Sequence, residues 1–312
     1  MKRLIFGDNQ FFSVNHISEE KSRSLTIKFK EDKTILNTID IAIENGISTF
    51  MCTTHDRMSN ICHLIRQEPD KYSNFSIYPC MPYAHKYANA VTELGIMGTI
   101  KNYLPGNIIG SMIKGGIAVV SKDYISIMEL MIDAEMKMFT KINTPVIFLQ
   151  NIVTDLLLGL GMKDIFKAYH DYIIKKYNAE PGFITMNLPK LAFTLNQVGI
   201  KKPIICSSIN KAGFRMSGGI ELYHQTLMSN TVRAMAMQVM GGGAIPPQEA
   251  LKYICELPNI ESILFGASSR QNISQTVSLI KNFDHLNNKT KVYENYNCSG
   301  SKTEFHENCT LN

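Results

Sequence analysis

Apolar residues along the chain gather in short runs, separated by longer amphipathic stretches. Eight runs read as strands: Leu4–Asp8, Ile47–Thr53, Phe75–Cys80, Pro145–Asn151, Gly182–Asn187, Pro203–Ser208, Ala234–Met240 and Ser262–Gly266. Each is continuously apolar and none alternates cleanly, the pattern of parallel strands covered on both faces. Thr34–Asn45 carries Ile35, Ile39, Ala42 and Ile43 at helical spacing and is stopped by Gly46. Val119–Phe139, Leu158–Tyr177, Pro247–Leu257 and Gln271–Asn282 also read as helices, the third of these entering on a proline. Met128, Met131, Met136 and Met138 fall on the long third helix and read as core packing.

Eight βα units over about 280 residues predict an α/β fold, a single-domain (β/α)8 TIM barrel. An open doubly wound sheet is disfavoured, because no Gly-x-Gly-x-x-Gly turn follows an early strand. The barrel is expected over residues 1–284. Residues 95–116, punctuated by glycine, are expected to form a loop insertion over the mouth. Residues 285–312, rich in Asn, Lys, Ser and Thr, are expected to form a polar, flexible tail.

Composition narrows the class. The chain has 312 residues, 45% hydrophobic and 19% charged, which excludes wholesale disorder. Its net charge of +5 is spread out, with no block of like charge, so neither nucleic acid nor a membrane surface is expected as a partner. A small anionic or phosphorylated molecule remains compatible. No apolar run is long enough for a membrane span. Asp8 follows Lys2 and Arg3 too closely for a signal peptide. With 7 cysteines, an odd number without paired spacing, the chain reads as a reduced cytoplasmic protein. The Asn-x-Ser/Thr matches at Asn288, Asn297 and Asn308 then read as accidents of a polar tail. Nothing in the pattern speaks to oligomeric state.

In a barrel the chemistry lies where the strands end. Gly241, Gly242 and Gly243 follow the seventh strand. Gly266, Ser268, Ser269 and Arg270 lead from the eighth into a helix. Small residues, free helix N–H groups and an arginine together make a phosphate cradle. The blander alternative is that the glycines close tight turns and a serine caps the helix. The ends of strands two and three supply Cys52, His55, Asp56, Cys80, Tyr83, His85 and Lys86. One reading is an acid–base set, with His55 or Tyr83 donating a proton. A second is a thiolate–imidazole metal site, but the spacing matches no finger or ribbon, and no metal is expected. A third leaves the cysteines in the core and the polar groups capping loops. Lys190 is either a Schiff-base lysine or a solvated residue opening the fifth helix. Gln150, Asn151, Asn187 and Asn210 are mouth amides suited to a carboxamide or sugar hydroxyls. Asp8 is either a base or part of an ordinary turn.

Met235–Thr276, with its Pro247-Gln248-Glu249-Ala250-Leu251 helix, its Leu257-Pro258-Asn259-Ile260-Glu261-Ser262-Ile263 strand and its Gly266-Ala267-Ser268 turn, resembles the C-terminal third of the aldo-keto reductases. Gly46-Ile47-Ser48-Thr49-Phe50 resembles that family's second strand, and Phe148-Leu149-Gln150-Asn151 its fourth. The resemblance implies a nicotinamide cofactor across the mouth, with its adenosine phosphate against Gly266, Ser268, Ser269 and Arg270. The arginine favours NADP over NAD. The family's catalytic tetrad does not carry over. Its Asp falls on Met51 or Cys52, its Tyr on Asp56 or Arg57, its Lys near Pro79 or Cys80, and its His on Gln150 or Asn151. The expected function is a nicotinamide-dependent oxidoreductase acting on a small carbonyl or sugar-like substrate with non-standard catalytic residues. Two alternatives stand: a barrel lyase, aldolase or isomerase acting on a phosphorylated substrate, and an inactive nucleotide-binding barrel.

Overall fold

The computed structural model describes residues 1–12, 19–83 and 124–300. The strands are β1 (Leu4–Gly7), β2 (Thr49–Thr53), β3 (Ser76–Met81), β4 (Val146–Leu149), β5 (Glu180–Thr185), β6 (Ile204–Ser208), β7 (Arg233–Met237) and β8 (Ile260–Phe265). They form a closed barrel in sequence order, every pair parallel, with β1 returning to β8 through Leu4 opposite Ile263. The helices are α1 (Glu19–Lys28), α2 (Asp32–Glu44), α3 (Arg57–Gln67), α4 (Tyr124–Met136), α5 (Asn151–Gly159), α6 (Lys163–Tyr177), α7 (Leu188–Gln197), α8 (Ile220–Met228), α9 (Pro247–Glu256) and α10 (Arg270–Gly300).

Two apolar layers hold this together. Ile5, Met51, Tyr78, Cys80, Phe148, Ile184, Cys206 and Met235 fill the barrel. A larger layer lies between sheet and helices, including Phe50, Cys52, Ile77, Ile147, Phe183 and Ile263. Burial on both faces explains the absence of alternation in the strands. In α2, Ile35, Ile39 and Ala42 are buried as their spacing predicts, and Gly46 turns the chain at φ +86°. Buried Met128 and Met136 of α4 pack in the outer layer, with Met138 against it.

The helical pattern from Leu158 to Tyr177 resolves into two helices, broken at Gly161, where φ is +69°. The last helix does not stop at Asn282 but runs to Gly300. The proposed mouth loop at 95–116 and residues 301–312 lie outside the described residues. No sequence periodicity announced α1. Its mean hydropathy is low and Ile27 is 78% exposed. It is held by its end: Phe29 is fully buried and meets Phe11 edge-on at 4.9 Å, and Phe11 meets Phe6 at 6.0 Å. That aromatic chain brings α1 and residues 8–12 over one side of the barrel mouth.

Candidate functional site

A cavity of about 610 Å3 opens at the C-terminal ends of the strands, the size of a small-molecule site. Its wall is largely apolar, with Leu25, Met51, Ile184, Met186, Met237 and Leu264. Polar groups enter from β1 (Asp8, Asn9, Gln10), β2 (Thr53), the start of α5 (Gln150, Asn151) and the loops after β6 and β7 (Arg215, Gln238). Gly242, Gly243 and Gly266 also line it.

Asp8 is 7% exposed. Its Oδ2 accepts both the amide and the hydroxyl of Thr53, at 2.7 Å each. Burial raises the carboxyl above the ordinary carboxylate range, outweighing the two Thr53 bonds. Gln10 donates Nε2–H to the Gly7 carbonyl at 2.7 Å, which orients its amide. Gln10 Oε1 is then buried without a partner. Gly266 allows that close approach: a Cβ there would stand 2.2 Å from Gln10 Oε1. Gln238 lies in the left-handed region at φ +52° while its Oε1 accepts from Ser208 Oγ at 2.6 Å. A non-glycine residue held so at a cavity wall is the kind of local strain found at binding sites.

The predicted patch at β2 and β3 separates into different environments. Cys52 faces the outer layer and Cys80 the barrel interior and cavity. Burial raises both thiols well above their ordinary value, so neither is a ready thiolate. No cluster suited to a metal ion occurs among the described residues. His55 stacks on Phe12 at 4.2 Å, and its Nδ1 accepts the Arg57 amide at 3.2 Å. Its ring lies 5.9 Å from that of Tyr83. Tyr83 lines the cavity, but burial and the carboxylates of Asp8 and Asp56 raise its phenol. That is the opposite of the activation an ammonium neighbour gives. Asp56 is exposed and Arg57 turns away to Asp32 at 2.7 Å. Buried Glu135 of α4 ties this corner down, accepting the Thr54 hydroxyl and the Tyr83 amide. His85 and Lys86 lie outside the described residues.

Gln150 and Asn151 are in the cavity wall as anticipated, but Asn187 and Asn210 are not. Asn187 caps α7, accepting the Lys190 amide at 3.2 Å. Asn210 closes its own loop, bonding Phe214 through both ends of its amide at 2.9 Å. Lys190 lines a separate outer groove beside Pro189 and Phe193. The glycines after β7 have φ of +58°, +75° and +102° at Gly241, Gly242 and Gly243, which only glycine adopts freely. Ser269 accepts the Asn272 amide at 3.3 Å and caps α10. Arg270 points outward to Glu44 at 2.6 Å, and Lys28 of α1 donates to the Ser268 carbonyl. Among the described residues, the cation in the cavity wall is therefore Arg215, at φ +55° with its guanidinium 5.3 Å over Phe214. Gln10, Lys28 and Arg215 were not singled out from sequence. Gln10 follows directly on β1 and bonds back to Gly7, whereas Lys28 reaches the site through a contact distant in sequence. Arg215 sits seven residues past β6, where its role depends on the loop path.

Sequence comparison matches no protein-family model and no curated protein. Solved structures do match. A protein described as an aldo-keto reductase, from Pseudomonas aeruginosa, is 10% identical with a TM-score of 0.56, over 90% of this chain and 89% of that one. The aldose reductase of Giardia lamblia is 10% identical with a TM-score of 0.51, over 90% and 87%. A protein described as a 2,5-diketo-D-gluconic acid reductase B is 9% identical with a TM-score of 0.52, over 89% and 81%. At this identity the likeness is one of fold. The likeness in fold covers the whole barrel, not only Met235–Thr276.

Proposed function

We propose that this chain is a nicotinamide-nucleotide-dependent oxidoreductase that reduces a small carbonyl or sugar-like substrate in the mouth cavity, with catalytic residues other than an Asp/Tyr/Lys/His tetrad. The observation that carries this reading is the unpartnered Gln10 Oε1 against Gly266, in the cavity of a barrel folded like the aldo-keto reductases. An orphaned buried acceptor is costly unless a ligand N–H or O–H meets it. A dinucleotide, rich in amide, amine and hydroxyl donors, suits that acceptor, and the glycines of the β7 and β8 turns leave room for its backbone.

Gln150 and Asn151 line the cavity, and their amides suit a carboxamide. A nicotinamide held there would supply the hydride. Preference for NADP rests on Arg270 with Lys28. The Arg270–Glu44 pair is more than half exposed on both sides, so exchanging the carboxylate for a phosphate costs little. Arg215 suits an anionic substrate. The lyase alternative loses support because Lys190 lies outside the cavity. A cytoplasmic setting fits the five described cysteines, all free and buried.

The test is a fluorescence titration with NADPH, with NADH as control. Saturable micromolar binding that favours NADPH, weakened tenfold or more by Gly266→Ala and less by Arg270→Ala, is the expected outcome. Absence of binding to about millimolar overturns the reading. Tight binding with no turnover on any aldehyde leaves the inactive nucleotide-binding barrel.

A further inference from the structure

Among the described residues, the non-glycine positions with left-handed backbone fall into two groups. Lys141, Asn178, Lys202, Asn230 and Asn259 each stand between a helix and the next strand, where a left-handed residue ends a helix. Arg215 and Gln238 do not. They follow β6 and β7, at φ +55° and +52°, and both enter the wall of the mouth cavity. Their own loops otherwise use glycine for such backbone, at Gly213, Gly218 and Gly219 after β6 and at Gly241, Gly242 and Gly243 after β7. The two exceptions are thus side chains aimed at the cavity, and strained backbone is kept where the side chain has a use.

The loop after β6 holds Arg215 from both sides. Asn210 bonds both the amide and the carbonyl of Phe214 at 2.9 Å. Met216 is 5% exposed, and the Ser217 amide donates to the Met186 carbonyl at 2.8 Å. The guanidinium lies over the Phe214 ring, and no carboxylate pairs with it among the described residues. The β7 loop abuts this one, with the Ile209 amide donating to the Met237 carbonyl at 3.1 Å. There Gln238 commits its Oε1 to Ser208 Oγ, which leaves Nε2 as a donor. Asp8, the carboxyl of the described wall, enters from β1, three strands round the barrel from β6.

We propose that Arg215 is the substrate-selecting residue of the cavity, taking a carboxylate or phosphate that the substrate carries apart from its reacting carbonyl, with Gln238 as a second donor. The substrate class is then a short oxo acid or a phosphorylated aldose, preferred over a neutral aldehyde. This rests on the reductase reading above, in which the nucleotide phosphate is met by Arg270 and Lys28, leaving Arg215 on the β6 loop for the substrate. A planar guanidinium meets either anion through two parallel N–H bonds. Placed by its pinned loop and stacked on Phe214, it needs little ordering when the anion arrives.

Matched substrates test this. Wild-type kcat/KM is expected to be about tenfold or more higher for succinic semialdehyde than for butanal, or for glyceraldehyde 3-phosphate than for glyceraldehyde. The pair that shows the preference tells carboxylate from phosphate. In Arg215→Gly, which suits the left-handed backbone, that ratio is expected to fall to about one through KM. Its urea midpoint should stay close to that of wild type and its NADPH affinity within about threefold. Arg215→Lys should keep part of the ratio. A ratio absent from wild type, or kept in Arg215→Gly, overturns the proposal. So does a variant whose main loss is NADPH affinity or stability, which assigns the arginine to the nucleotide or to the fold. A second arm needs no turnover. Calorimetric titration of nucleotide-free protein with succinate and with inorganic phosphate is expected to show about millimolar binding of one of them by wild type, weakened about tenfold or more in Arg215→Gly. Absent or equal binding overturns the anion site. Wild-type protein that fails to bind NADPH overturns the reductase reading instead, and the calorimetric arm then decides the anion site alone.

Discussion

Thr53 donates its backbone amide and its hydroxyl to the same oxygen of Asp8, at 2.7 Å each, joining the ends of two adjacent strands at the floor of the mouth. Burial raises the Asp8 carboxyl by more than these bonds lower it. The folded chain therefore keeps a proton that the unfolded chain has already released. The stabilisation from Asp8 is complete below the ordinary carboxylate range and is lost as pH rises through its folded midpoint. Asp8→Asn cannot ionise. Urea midpoints measured from about pH 3 to about pH 8 are expected to shift progressively in favour of the variant as pH rises. A difference independent of pH argues against a raised carboxyl.

Gly182 sits at a tight point inside the barrel. A Cβ at that position would stand 2.5 Å from two atoms of the Phe148 ring, which is fully buried. The ring cannot withdraw without displacing its neighbours, since barrel interiors are close-packed. Gly182→Ala is expected to cost about 2–3 kcal/mol in chemical denaturation. Gly182→Ala with Phe148→Leu is expected to recover part of that loss.

Gly266 and Gln10 form a coupled pair at the cavity wall. Alanine at 266 would press on Gln10 Oε1 at 2.2 Å and so strain the bond from Gln10 to the Gly7 carbonyl. In a double-mutant cycle read by urea denaturation, Gly266→Ala should cost less in a Gln10→Ala background, with a coupling of about 1 kcal/mol. Additive effects count against the contact.

Glu135 reaches from α4 to hold the ends of β2 and β3. Its carboxylate accepts the Thr54 hydroxyl and the Tyr83 amide while 2% exposed. Glu135→Ala leaves buried donors unmet and is expected to destabilise the fold by about 3 kcal/mol. Because Tyr83 and Thr53 lie in the cavity wall, NADPH affinity is expected to fall as well, measured in the same titration.

Surface electrostatics give a contrasting expectation. Asp133 of α4 accepts the phenols of Tyr172 at 2.6 Å and Tyr177 at 2.5 Å, with Lys176 beside them. Its carboxyl is held below the ordinary range by Lys176 and the two tyrosines, against its partial burial. This stabilisation is present above the ordinary range and is lost as pH falls through the folded midpoint. Asp133→Asn is expected to destabilise at neutral pH and to converge on wild type in acid, the reverse of Asp8→Asn.

The eight strands and their order were legible from sequence because each strand is buried on both faces and so is written as an apolar run. The helix in Thr34–Asn45 was legible for the same reason, since one face alone packs. α1 was not, because it is anchored by Phe29 and Leu25 rather than by an apolar stripe. The true extent of α10 was hidden too, since its polar composition past Asn282 matches that of a tail.

The candidate site divides in the same way. Glycines at the β7 and β8 turns, and the amides Gln150 and Asn151, could be placed by counting from strand ends, because position along a parallel barrel strand determines which end faces the mouth. Side-chain direction could not. Arg270 turns outward to Glu44, Asn210 folds back on its own loop, and Lys190 lies in an outer groove. Asp8 was ambiguous between a base and a turn residue until Thr53 was seen across the β1–β2 seam. Sequence by itself determined the run lengths, the barrel and its open end, since these follow from local burial periodicity. Which polar groups meet inside the mouth, and how burial sets their protonation, was decided only by contacts between residues distant in the chain.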